Sequence, residues 1–276
     1  MLEIPESRVL SVQLNKTVKG KIIKSVTANK SPHRFAFYAG DPEGYGNLLK
    51  GKRIGEAKPA GGMVEIEAGD MRILLSDGAT TRFLAKGEKV PAKHQLLIGF
   101  EDRTALVCSV QMYGGVWVFR EGTFDNEYYA GARGKISPLS DSFDEKYFGS
   151  LLGAAKQTLS LKAFLATEQR IPGLGNGVLQ DILFNAGLNP KRKLKSLKEK
   201  EKKELFRSLK ETLAEMADKG GRDMEKDLLG KPGGYRTLMS SRTHKNPCPK
   251  CGGEIRKEAY MGGSVYYCPA CQPLEE

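Results

Sequence analysis

Apolar and polar positions follow two different periods along the chain, and the change falls near residue 145. Residues 1–15 mix the two kinds at roughly helical spacing, with Val9, Leu10, Val12 and Leu14 as the apolar set, which predicts a short N-terminal helix. From about 20 to 125 the texture is short β-rich runs (KIIKSV, MVEIEA, MRILLS, QLLIGF, ALVCSV and GVWVF) separated by turns rich in Gly, Asp and Lys. That spacing predicts a β-sandwich or barrel of about 100 residues. Residues 121–145, punctuated by Gly, Ser and Pro, read as a connector.

Beyond 145 the period becomes helical. FGSLLGAAKQTLSLKAFLATEQ leads through the turn IPGLGN into GVLQDILFNAG, where Leu179, Ile182, Leu183 and Ala186 share one face. A third amphipathic segment, 197–218, carries Leu205, Leu209, Leu213 and Met216 on one stripe, and Gly220 and Gly221 stop it. Residues 222–246, polar and glycine-rich, read as a mobile loop, and four cysteines close the chain. The fold class is α+β in two lobes, β first and helical second, ending in a small metal-binding module.

Composition narrows the function. No run approaches 18 apolar residues, so no membrane span is predicted, and Glu3, Glu6 and Arg8 interrupt the apolar run an export signal needs. A cytoplasmic, nucleoid-associated monomer is expected. The net charge of +11 attracts a polyanion, nucleic acid being the commonest, although a solubilising surface has the same signature. Cys108 stands alone in TALVCSV and reads as a small buried hydrophobe.

Cys248, Cys251, Cys268 and Cys271 form two CxxC pairs separated by 16 residues. Four thiolates satisfy tetrahedral zinc, the insert is long enough for a β-hairpin, and a closed four-sulfur shell makes one structural Zn2+ the expected cofactor. In RIPGLGNGVLQD, Gly173 and Gly175 permit unusual backbone conformations, Asn176 is a good helix N-cap, and amides at that helix start suit a phosphate. Just downstream, residues 191–203 hold eight basic and two acidic side chains, net +6. Separately the turn is an ordinary helix corner and the charge run a solvated face. Together, beside a zinc hairpin, they point to duplex DNA.

LKAFLATEQRIPGLGN, ILFNAGLNPKRK, GGRDMEKDLLGKPGGY, YYCPACQ and the opening MLEIPE resemble, in order and spacing, the formamidopyrimidine-DNA glycosylase and endonuclease VIII family of base-excision repair enzymes. The resemblance is clear over 145–272 and fainter over the β-rich half. It implies an N-terminal catalytic β-sandwich lobe (1–125), a helix–two-turn–helix DNA-binding domain (126–240) and a four-cysteine zinc finger (241–276). It further implies a partner, double-stranded DNA with damaged bases or abasic sites. The activity implied is a glycosylase with abasic-site lyase chemistry, in which the N-terminal amine attacks C1′ of a flipped nucleotide and forms a Schiff base.

Carried over residue by residue, the resemblance places the reacting terminus at Leu2, a catalytic acid at Glu3 and a second acid at Glu6. Lys162 and Asn176 fall at phosphate contacts, with Gly173 and Gly175 shaping the turn, and Tyr113 in SVQMYGG falls near a loop that fills the void left by the flipped base. An ordinary hairpin tip is the plainer reading of Tyr113.

Several positions depart from the family. Leu2 replaces proline, and Leu2 is not the small residue that removal of the initiator Met generally needs; retention displaces the amine by one residue relative to Glu3. Gly62 stands for a phosphate-binding lysine, for which Lys58 is a possible substitute; Gly263 stands for the arginine of the finger tip and Ala79 for a gap-filling methionine. Two readings follow: an active glycosylase and lyase, or a catalytically weakened relative that binds damaged or abasic DNA. A module for RNA or protein is a third.

Overall fold

The computed structural model describes residues 2–274. The chain divides into two compact units, 1–133 with 220–234, and 134–219 with the residues from 235 onward.

In the first unit, helix α1 (Ile4–Thr17) is followed by β1 (Ile23–Ala28), β2 (Ala36–Phe37), the short α2 (Tyr45–Leu49), β3 (Ile54–Ala60), β4 (Met63–Ala68), β5 (Met71–Leu75), β6 (Ala79–Leu84), β7 (Leu96–Phe100), β8 (Ala105–Val110), β9 (Gly114–Arg120) and α3 (Glu127–Gly134). The strands form two sheets, ordered β1-β7-β8-β6 and β2-β9-β5-β4-β3. Every pairing is antiparallel except the short β2–β9 contact. One core takes Ile98, Leu106 and Cys108 from the first sheet, Val64, Ile66 and Ile73 from the second, and Leu10 and Leu14 from α1. This is the expected sandwich. Period-2 burial marks β7, whereas β5 is buried throughout because both its faces are covered, Ile73 in the sandwich core and Leu74 in the cluster with Tyr129 and Ala132.

Cys108 is the buried hydrophobe its context suggested. Its thiol lies 3.3 Å from the Thr81 hydroxyl, and burial pushes its pKa up to about 11. Helix α1 starts at Glu3 in extended conformation, with Pro5 in its first turn, and is tied to β3 by a two-way amide bond: Asn15 donates to the Ala57 carbonyl and accepts from its N–H, both at 2.8 Å. Residues 121–145 are not only a connector. Asn126 accepts from Tyr129 N–H at 2.9 Å and starts α3, which buries Tyr129 and Ala132 beside Met63, Leu74 and Phe119. Glycines within EYYAGARG masked this helix from sequence reading.

The second unit contains α4 (Glu145–Ala154), α5 (Leu161–Ala166), α6 (Val178–Asn185), α7 (Glu199–Asp218) and the hairpin β10 (Arg256–Tyr260) to β11 (Gly263–Tyr267). The predicted stripe of α7, Leu205, Leu209, Leu213 and Met216, is fully buried. The hairpin turns through Met261 and Gly262, both at positive φ (49° and 71°), as a two-residue type I′ turn requires. No described helix is long and apolar enough to cross a membrane.

Segment 220–234 is anchored, in contrast to the mobile loop its composition suggested. Leu228 is fully buried in the sandwich core; its N–H donates to Gln13 and its carbonyl accepts from Phe83 N–H. Gly233 meets Gly221 so closely that a Cβ at 233 would lie 2.2 Å from the Gly221 backbone. A single core leucine in a polar stretch has no period to reveal it.

Candidate active site and nucleic-acid interface

In the first unit, three segments meet around the start of α1. Leu2 N–H donates to the Asp77 carbonyl at 2.9 Å, and Gly78 N–H donates to the Tyr113 carbonyl at 3.1 Å. A Cβ at Gly78 would lie 2.1 Å from the Tyr113 carbonyl oxygen, so only glycine permits this approach. Residues 111–113 are not a hairpin tip: β8 and β9 belong to different sheets, and the loop crosses between them. It leaves Met112 and Tyr113 exposed. Burial, with the nearby carboxylates of Asp77 and Glu3, raises the Tyr113 phenol pKa, and burial raises that of Asp77. A cavity of about 250 Å3 opens beside this loop, lined by Thr80, Gln111, Tyr113, Met224, Glu225 and Lys226. Ala79 is buried in β6 and does not project into it. The expectation that the chain's terminal amine is displaced by one residue turns on Met1, which lies outside the described residues.

Glu3 and Glu6 are both buried, and Arg222 lies between them. Glu6 accepts from Arg222 Nε at 2.9 Å, Nη2 at 2.8 Å and backbone N–H at 3.2 Å, and from Glu3 N–H at 3.3 Å. Arg222 Nη1 reaches Glu3 Oε2 at 3.3 Å. Burial by itself would raise the Glu6 pKa; the charge and hydrogen bonds of Arg222 outweigh it and hold the carboxyl below its usual value. Stability from Glu6 is therefore fully present above about pH 4.5 and is lost as pH falls through the lower folded value. The melting-temperature deficit of Glu6→Gln is expected to shrink steadily as pH falls below 4.5, and a deficit independent of pH contradicts this role.

In the second unit, Lys162 and Asn176 converge on the hairpin. Lys162 Nζ donates to the Tyr260 carbonyl at 2.5 Å and Asn176 Nδ2 to the Ser264 carbonyl at 3.1 Å. Burial alone pulls the Lys162 pKa down. Asn176 is not the N-cap: Gly177, which has no side chain to cap with, takes that place, and the Asn176 amide is turned to the hairpin and to Gln180. Gly173 has φ +78°, the left-handed conformation expected, whereas Gly175 is not among the positive-φ glycines. A Cβ on Gly263 would sit 3.5 Å from both Lys162 Nζ and Asn176 Nδ2. The departure at 263 thus opens space directly beside the two phosphate candidates.

Gly62 lies in the β3–β4 turn, whose Gly61 carbonyl accepts from Ser7 Oγ at 2.6 Å. Lys58, the substitute suggested for the lysine missing there, is exposed and pairs with Glu56 and Glu67 at 3.0 and 3.6 Å. The basic run 191–203 is likewise partly internal. Arg192 is buried and forks onto Glu201 at 2.6 and 2.8 Å, and Lys191 pairs with Glu258 on the hairpin.

The sulfurs of Cys248, Cys251, Cys268 and Cys271 all lie within 4.8 Å of one another, with Cys248–Cys271 at 3.8 Å and Cys251–Cys268 at 3.5 Å. Tetrahedral zinc with Zn–S near 2.3 Å places sulfurs about 3.8 Å apart, so the donor set fits.

The Formamidopyrimidine-DNA glycosylase H2TH domain matches residues 135–226. A formamidopyrimidine-DNA glycosylase of Prochlorococcus marinus (strain NATL1A) is 33% identical over 196 residues, 68% of this chain and 68% of the relative. The chain belongs to the formamidopyrimidine-DNA glycosylase family. A Thermus thermophilus relative is 29% identical over 99% of this chain and 98% of its own. The crystal structure of MutM (Fpg) from Thermus thermophilus superposes with a TM-score of 0.80 at 26% identity, covering 99% of this chain and all of the other. The Lactococcus lactis Fpg in complex with abasic-site DNA gives a TM-score of 0.81 at 25% identity, covering 98% and 99%. The family is one of base-excision repair DNA glycosylases. Sequence reading singled out Glu3, Lys162, Asn176 and the cysteines as candidates; it did not single out Arg222, which sits in an acidic, glycine-flanked stretch without periodicity.

Proposed function

We propose that this protein excises damaged bases from duplex DNA and cleaves the resulting abasic site through a Schiff base on its N-terminal amine. The observation that carries the reading is the buried Glu3 at the start of α1, close enough to the exposed Tyr113 to help raise its phenol pKa, where Tyr113 in turn lines the 250 Å3 cavity. An α-amine with an ordinary pKa of about 7.7–8.0 is partly unprotonated at neutral pH and can attack C1′. The damaged base then departs, and elimination from the resulting iminium breaks the strand. Glu3 lies next to the reacting terminus in sequence, suited to exchange protons with the opening sugar and to offset the iminium charge. Glu6, saturated by Arg222 and Glu3, holds the site together. Tyr113 is placed to enter the gap left by the extruded nucleotide. The four cysteines would hold one structural zinc, which when bound fixes the hairpin and carries no step of the reaction.

Lys162 and Asn176 would grip the DNA backbone. Asn176→Ala is expected to weaken binding to abasic-site duplex about 10-fold without changing zinc content, since one polar phosphate contact is lost. Gly263→Arg adds a cation where a Cβ meets nothing closer than 3.5 Å, so it should tighten binding and steepen the salt dependence by about one counterion. An unchanged salt slope removes the phosphate assignment. A slow, binding-dominated relative is the second reading, favoured by Lys58 being paired and Gly62 and Gly263 lacking side chains. Titration of matched duplexes tests the reading shared by both: abasic-site duplex must bind more tightly than undamaged duplex, and equal affinity contradicts it.

A further inference from the structure

Glu3 and Glu6 are one helical turn apart on α1, and neither reaches bulk water. Two carboxylates so placed repel each other, and without a cation one of them takes up a proton. Arg222 supplies that cation with all three guanidinium nitrogens engaged: Nε and Nη2 fork onto Glu6, while Nη1 lies 3.3 Å from Glu3 Oε2. Its delivery is built into the backbone. Gly220 and Gly221 adopt φ of +79° and +96° after α7, Gly233 closes against Gly221, and Leu228 pins the segment in the core. Asp227 adds a further tie by accepting from Gln13 Nε2 at 2.8 Å.

We propose that Arg222 is a positioning residue of the reaction centre, holding the Glu3 side chain in place as a carboxylate. The inference rests on the reading of Glu3 as the group that serves the N-terminal amine. Glu3 then enters the reaction as a negative charge, ready to accept a proton and to face a cationic intermediate, rather than already carrying a proton. The titratable groups around it are Glu6 on α1, Arg222 and, beyond the guanidinium, Glu225 on the anchored segment, and Asp77 and Tyr113 on the two loops. The N-terminal ammonium is a further positive charge on this cluster, acting on Glu6 and Asp77, so removal of Arg222 takes away the cation that the side-chain contacts place between Glu3 and Glu6.

The test is single-turnover cleavage of abasic-site duplex across pH by the parent, Arg222→Gln and Arg222→Lys. For Arg222→Gln the acid limb is expected to move up by about one pH unit, so that the deficit against the parent is up to about threefold larger near pH 5.5 than near pH 8 and grows toward 10-fold at lower pH. Arg222→Lys, which keeps the charge without the fork, should recover much of the acid limb. A deficit equal at every pH is what mere loosening of the segment gives, and it overturns the proposal. Carboxyl titration by 13C NMR, with Glu3→Gln and Glu6→Gln for assignment, reads the same property without activity. In the parent neither carboxyl should take up a proton above about pH 5, and one titrating there overturns the proposal even where Arg222→Gln fails to fold. If the parent cleaves nothing, the lyase reading fails while the titration still decides the role of Arg222.

Discussion

Glu3→Gln is expected to lower single-turnover cleavage of abasic-site duplex by about 100- to 10,000-fold, the range typical of a lost acid–base group. The substitution keeps the shape of the side chain and an acceptor for Arg222 but removes its charge. Glu6 stays paired with the guanidinium through Nε and Nη2, so the anchored segment keeps its main tie. Duplex affinity, which we propose rests on Lys162 and Asn176, should change little. Rate, melting temperature and binding measured on one preparation separate these effects. A rate within about threefold of the parent assigns the proton transfers to another group.

Cys268→Ser has the second large effect. Cys268 is fully buried, in a cluster with Phe184, Met239, Ile255 and Tyr266. A structural zinc site supplies folding free energy directly, about 10–16 kcal/mol in isolated finger peptides. Loss of one thiolate should therefore empty the site and melt the β10–β11 hairpin. The consequence should reach DNA binding, because Lys162 and Asn176, the proposed phosphate contacts, are both held by hairpin carbonyls, those of Tyr260 and Ser264. Duplex affinity is expected to fall about 100-fold, about 2.7 kcal/mol, more than for Asn176→Ala alone. Metal analysis, limited proteolysis and binding check it. Retained zinc with an intact hairpin contradicts the assignment.

Periodic and covalently spaced features were legible in the sequence. The α7 stripe, the β runs of the sandwich and the CxxC pairs each repeat at a spacing fixed by backbone or metal geometry. Pairings made across the fold were not legible. Arg192 looks like part of a DNA-facing run until Glu201 is seen to hold it, and the pairing of Lys58 with Glu56 and Glu67 could not be read from the sequence. Arg222 and Leu228 anchor a segment whose composition suggests mobility, through partners 216 and 215 residues away in sequence. Asn176 was placed in the right turn with the wrong local role. Its amide can cap a helix or bond the hairpin, and tertiary geometry decides for the hairpin.

The central claim is that the N-terminal amine does the chemistry, and borohydride trapping on abasic-site duplex tests it most directly. Intact and peptide mass spectrometry on the same sample locates the adduct. The account predicts a covalent protein–DNA species reduced at the terminal amine, diminished in Glu3→Gln, with the peptide mass showing whether Met1 or Leu2 carries it. Protein that binds the duplex tightly yet yields no adduct contradicts the account and makes this chain a lesion binder.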